Sequence, residues 1–131
     1  VMSKERANNK KTILIVEDEE SLSRVLVDGL TQEDFATRTA KNGEEGLEVA
    51  LREHPDLILL DIIMPVMDGM TMLDKLRKDV WGKNAKIIVL TNLDSNEKIA
   101  ESIRHGAYDY LVKTDWKIED VIAKVRERLA S

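Results

Sequence analysis

Five short runs of apolar residues recur along the chain, separated by longer stretches with a different period. They are Thr12–Val16 (TILIV), Ala36–Ala40 (ATRTA), Leu57–Leu60 (LILL), Ile87–Leu90 (IIVL) and Tyr110–Val112 (YLV). Four are nearly continuous in apolar side chains, the pattern of parallel strands covered on both faces. The second alternates small and polar residues and carries Arg38, which predicts a place at the sheet edge. Between the runs the period becomes helical. Leu22, Val25, Leu26, Gly29 and Leu30 fall on one stripe, and Ile118, Val121, Ile122, Val125 and Leu129 repeat it near the C-terminus. Shorter stripes pass through Leu47, Ala50 and Leu51, through Leu73 and Leu76, and through Ile99 and Ile103. Asn42 and Ser95 stand where helix N-caps belong, and Gly106 stands where a helix should end.

Alternating strand and helix units predict a parallel sheet with right-handed crossovers and helices on both faces. A closed eight-stranded barrel needs about 250 residues, far more than this chain has. The expected fold is therefore α/β: a doubly wound five-stranded parallel sheet of order 2-1-3-4-5 with five helices. Ligands of such sheets bind outside the carboxyl ends of the strands, where the strand order reverses.

Composition narrows the class. A chain of 131 residues that is 43% hydrophobic and 34% charged is globular rather than disordered. It has no cysteine, which excludes disulfides, thiolate metal sites and cysteine nucleophiles. No apolar run approaches membrane-spanning length and no signal peptide is evident, so a cytoplasmic location is expected. The net charge is −5, yet residues 1–11 hold four bases against one acid. That segment reads as a basic, flexible tail before a domain covering residues 12–131. The acidic body argues against nucleic-acid binding and membrane insertion, and suits a divalent cation.

The predicted strand ends concentrate chemistry. Glu17, Asp18, Glu19 and Glu20 follow the first strand, Asp61 the third, Thr91 the fourth and Lys113 the fifth. Glu19 and Glu20 read first as acids that cap a helix or complement its dipole. Asp61, directly behind LILL, is harder to assign to capping. Carboxylates converging there repel one another unless a cation sits among them, and Lys113 and a bound divalent ion supply that charge. Oxygen ligands suit Mg²⁺, with Mn²⁺ as the alternative. An ionised Asp61 can attack phosphorus and form an acyl phosphate, with Lys113 neutralising the transferring group and Thr91 donating a hydrogen bond to it. The cluster of Met64, Met67, Met70 and Met72 reads as core filling. His54 and His105 lack a partner at metal-ligand spacing and read as structural.

In its motifs ILIVEDEE, PDLILLDIIMPVMDGMTMLDKLR, IIVLT and GAYDYLVK, the chain from Thr12 to Ala130 resembles the receiver domain of two-component response regulators, a flavodoxin-like fold. The resemblance implies that Asp61 is the phosphoacceptor and that Glu17 and Asp18 are the acidic metal-binding pair. It implies that Thr91 is the switch hydroxyl, Lys113 the phosphate-binding lysine and Tyr110 the aromatic that changes rotamer on activation. The main-chain carbonyl of Ile63 is implied as a further metal ligand. A histidine kinase or phosphotransfer protein is the implied phosphodonor. A downstream protein or a second copy is the implied partner of the 95–129 face, and no catalysis beyond self-phosphorylation and self-dephosphorylation is implied. Glu17 replaces the commoner Asp, Thr114 replaces the usual proline after Lys113, and Asn92 is larger than usual beside Thr91. The resemblance also implies that the apolar Ile63 and Leu93 flank the path of a hydrolytic water, which leads us to expect a long-lived phosphoaspartate.

Two other functions compete. An aspartyl-phosphate phosphatase needs a second Asp two residues after the nucleophile, where this chain has Ile63. An unphosphorylated constitutive interaction domain of the same fold would be expected to have lost Asp61 or Lys113, and both are present. A nucleotide-binding reading fails for want of a Gly-x-x-x-x-Gly-Lys-Ser/Thr motif. These 131 residues leave no room for an output domain, so a stand-alone or excised receiver is expected.

Overall fold

Among the described residues all strand pairings are parallel, and one five-stranded sheet forms in the order β2-β1-β3-β4-β5. The computed structural model describes residues 10–62, 64, 66–91, 109–112 and 117–130, with backbone alone for 91 and 109–112. Along the chain come β1 (Thr12–Val16), α1 (Glu20–Gln32), β2 (Ala36–Ala40), α2 (Gly43–Glu53) and β3 (Leu57–Asp61). They are followed by α3 (Gly69–Arg77), a 3-10 turn (Gly82–Asn84), β4 (Ile87–Thr91), β5 (Asp109–Val112) and α4 (Ile118–Ala130). Four α-helices thus lie among the described residues. The helix expected around Ile99 and Ile103, with its caps Ser95 and Gly106, lies outside them, as do His105, Thr114 and Trp116.

The continuous apolar runs are explained by burial on two faces. Successive strand residues point to opposite sides. Leu14, Val16, Ile58, Leu60, Ile87 and Val89 pack on one side beneath α2 and α3. Ile13, Ile15, Leu57, Leu59, Ile88 and Leu90 pack on the other beneath α1 and α4. Every one of these twelve is 0% exposed, so β1, β3 and β4 are sealed on both faces. β2 is the edge strand that Arg38 foretold: the guanidinium projects outward and bonds Glu53 at the end of α2 at 2.8 Å. Arg52 and then Arg38 hold the Glu53 carboxyl below the usual range. Because the folded value is lowered, this contribution is present above the ordinary glutamate range and fades as pH falls through the lowered one. At the surface it is small.

Among the described residues the helical stripes hold with two corrections. Val25 is 49% exposed and Leu51 is 38% exposed, so neither faces the core. The inner face of α1 runs through Leu22, Leu26 and Leu30 with Val27 beside them, and that of α2 through Leu47, Val49 and Ala50. The five stripe residues of α4, Ile118, Val121, Ile122, Val125 and Leu129, all join the core. Asn42 caps α2 as expected, its Oδ1 accepting the Glu45 amide at 2.8 Å.

Candidate functional site

Register places the acids. Val16 lies opposite Ala40 on one side and Leu60 on the other. Glu17 is one residue beyond Val16 and Asp61 one beyond Leu60, so the two stand side by side at the carboxyl edge. The Glu17 amide donates to Ala40 O at 2.9 Å, which prolongs the β1–β2 ladder and fixes the Glu17 backbone. Glu17 is 2% exposed and Asp61 3%, whereas Asp18 is open to solvent. One carboxylate oxygen from each of the three lies within 4.8 Å of the others.

The Glu17 carboxylate also accepts the Glu19 amide at 3.0 Å. Glu19, at the N-cap position of α1, makes no side-chain cap bond. The capping role expected of Glu19 therefore falls to Glu17, two residues earlier, while Glu20 occupies the first turn as a dipole-compatible acid. A cavity of about 280 Å³ opens beside Glu17 and Asp18, lined further by Ser23, Thr39, Lys41 and Glu45. Lys41 and Thr39 are neighbours that the strand-end reading missed. Both sit at the end of an edge strand whose alternating pattern gave no sign of a site.

The donor set tests the implied metal. Three carboxylates, two of them buried and each with an oxygen within 4.8 Å of the others, offer hard oxygens only. That chemistry fits Mg²⁺ or Mn²⁺ and suits no soft metal.

The segment after Asp61 is held by backbone. Asp68 caps α3, accepting the Thr71 amide at 2.8 Å. The Gly69 amide donates to Ile62 O at 2.8 Å, and a Cβ on Gly69 would collide with the Asp61 carbonyl oxygen. Glycine is required there by that close approach. Met64, Met70 and Met72 are buried and Met67 packs against the same core, in agreement with core filling. Val66 is 77% exposed yet sits at φ 68°, left-handed backbone that a β-branched residue rarely adopts. Relief of about 1 kcal/mol is expected for Val66→Asn, since asparagine tolerates this region. A melting temperature raised by roughly 3 °C would show it, and a lowered one would contradict it.

The remaining residues are placed by topology. Asp61 pairs with Leu90, so Thr91 stands one residue further along the same edge. Thr91 pairs with Val112, the residue before Lys113, and Tyr110 pairs with Val89. Ile63, Asn92, Leu93 and Lys113 lie outside the described residues. His54 ends α2 in a left-handed cap and stacks on Trp81, centroids 4.4 Å apart and planes 7° from parallel, a structural role as expected.

A doubly wound parallel sheet with an acidic cluster at its switch point defines a small class of α/β proteins. The family model for the response regulator receiver domain matches residues 13–126, and the chain belongs to that family. It is 38% identical over 116 residues to the response regulator PleD of Caulobacter vibrioides, covering 88% of this chain and 25% of that protein. It is also 38% identical over 115 residues to the response regulator ArlR of Staphylococcus aureus, covering 87% and 50%. The chain thus spans between a quarter and a half of the length of these relatives. Among solved structures, a CheY-like receiver domain protein from Methanospirillum hungatei superposes with a TM-score of 0.87 at 30% identity, over 93% of this chain and 95% of that one. The CheX-CheY-BeF3-Mg complex from Borrelia burgdorferi gives 0.82 at 29% identity, over 89% and 87%. Among the described residues no helix is long and apolar enough to cross a membrane.

Proposed function

We propose that Asp61 of this receiver domain is the phosphoacceptor, that Glu17 and Asp18 hold a divalent cation beside it, and that a histidine kinase or phosphotransfer protein supplies the phosphoryl group. The observation that carries this reading is the convergence of Glu17, Asp18 and Asp61 at the adjoining ends of β1 and β3. A carboxylate oxygen of Asp61 attacks the phosphorus of a phosphohistidine. The P–N bond breaks as the O–P bond forms, and the imidazole leaves and takes up a proton. Bound Mg²⁺, or Mn²⁺, supplies positive charge to the phosphoryl oxygens. Burial of Asp61 at the end of β3 keeps its carboxylate in one place and limits water around it. Lys113 and Thr91 complete the phosphoryl contacts, consistent with where β4 and β5 end. Hydrolysis returns the carboxylate and releases phosphate, so the chemistry begins and ends on this domain.

The output is a change of the face spanning residues 95–129, with Thr91 and Tyr110 as the switch pair and a downstream protein or a second copy as its partner. The receiver unit spans residues 12–131 and works in the cytoplasm. Acetyl phosphate with Mg²⁺ tests the core of this reading. Intact mass should rise by one phosphoryl group, and an unchanged mass in the presence of donor and metal would refute it.

A further inference from the structure

We propose that Gly43, the first residue of α2, is a positioning residue for Asp61, acting through the backbone of the loop between β3 and α3. The inference rests on the reading of Asp61 as phosphoacceptor and adds a residue outside the acidic cluster. The Gly43 amide donates to Met67 O at 2.8 Å, so the start of one helix is bonded to the loop that leads into the next. A Cβ on Gly43 would collide with that same carbonyl oxygen and would stand 2.9 Å from Asp68 O and 3.0 Å from Met67 C. These are backbone atoms, which cannot rotate aside as a side chain can. Gly43 has no left-handed φ, so close approach rather than backbone freedom demands glycine. Glycine is otherwise a poor choice at the first position of a helix, where proline is the favoured special residue.

The contact continues to Asp61 without passing through a flexible side chain. Met67 adjoins Asp68, the cap of α3, and Gly69 follows with its amide on Ile62 O and its open side against the Asp61 carbonyl. Two backbone hydrogen bonds, Gly43 to Met67 and Gly69 to Ile62, thus tie the α2 start to the end of β3. Val66, held left-handed one residue before Met67, shows that this loop is constrained rather than relaxed. Displacing the loop by even a fraction of an ångström reaches the Asp61 main chain. Misplacement of about 1 Å at a reacting group can cost about a hundredfold in rate.

Gly43→Ala tests the inference, with Gly46→Ala as control on the same helix. A Cβ at Gly46 meets the side chains of Val16 and Met72 rather than the loop. Backbone amide resonances of the metal-free proteins and labelling by acetyl phosphate at saturating Mg²⁺ are read together with melting temperature. Gly43→Ala should move the Asp61, Ile62 and Gly69 amides and slow labelling at least tenfold. Gly46→Ala should lower the melting temperature, leave those amides in place and label within twofold of wild type. If Gly43→Ala does not fold, Asn42→Ala, which removes the α2 cap, should move the same amides and slow labelling about threefold. Unmoved Asp61 and Gly69 amides with wild-type labelling, in whichever of the two folds, would overturn the inference. Moved amides in a protein whose wild type is never labelled would uphold the positioning and refute the phosphoacceptor reading instead.

Discussion

Asp61→Asn should take up no detectable phosphoryl group from acetyl phosphate or a phosphohistidine donor under conditions that label the wild type fully. The amide nitrogen and oxygen of asparagine carry no negative charge to attack phosphorus, and the side chain keeps the shape that fills the end of β3. Because Asp61 is only 3% exposed, folding is the first alternative explanation to exclude. Circular dichroism and melting of the variant should match the wild type in the absence of metal to within a few degrees. Asp18→Asn acts differently. Asp18 is open to solvent and shares the cluster; in the proposed reaction it holds the cation and is not the nucleophile. Even loss of an outer-shell partner costs about ten- to a hundredfold in metal affinity, and loss of a ligand no less, so labelling should fall steeply at low Mg²⁺ and recover as Mg²⁺ is raised. Failure to recover would assign Asp18 to the transfer step itself.

The second large effect is on stability. Glu17 and Asp61 are buried carboxylates whose oxygens approach Asp18 within 4.8 Å, and a divalent cation bound there, as proposed, would relieve that crowding of negative charge only in the folded state. A ligand that binds only the native state at a hundred times its Kd stabilises by about 2.7 kcal/mol. For a chain of 131 residues this corresponds to a rise in melting temperature of roughly 8–10 °C. EDTA should reverse the rise completely, and Asp61→Asn should lose most of it. Calcium, which prefers six to eight ligands at longer range, should stabilise less than Mg²⁺ at equal concentration. An equal rise in Asp61→Asn would mean that the cation sits elsewhere on this acidic surface.

Much of this was legible in the chain because the information was local. Four of the five strands begin where the apolar runs begin and β5 begins one residue earlier, at Asp109, while β3 and β4 extend one residue further, to Asp61 and Thr91, than the runs of apolar letters indicate. Polar residues end a hydrophobic run on paper while still continuing a ladder, so strands whose last residue serves the site look short. The acids at the ends of β1 and β3 were legible for the same reason: once the strands are parallel and adjacent, their ends meet. Helix faces were less so. Val25 and Leu51 fit the period and still point outward, since periodicity fixes a stripe and not its width.

Close backbone contacts were not legible at all. Gly43 and Gly69 follow Asn42 and Asp68, pairs that announce helix starts, and nothing in either pair says that a carbonyl from another element lies against the missing Cβ. The same holds for the Glu17 carboxylate at the Glu19 amide, which depends on the direction in which the chain leaves β1. Arg77 is a further case. Its guanidinium donates to Gly82 O at 2.6 Å and Ala85 O at 2.9 Å, closing the turn that carries the chain into β4. Such contacts arise from the assembled layers, not from neighbours in sequence.

Chemical mapping of the modified residue tests the central claim most directly. Borohydride reduces an acyl phosphate of aspartate to homoserine and leaves phosphoserine, phosphothreonine and unmodified carboxylates intact. After labelling with acetyl phosphate and Mg²⁺, reduction and peptide mass spectrometry should find homoserine at position 61 alone. Homoserine at position 18 or 68 with Asp61 intact, or phosphate that survives reduction on a hydroxyl, would contradict it.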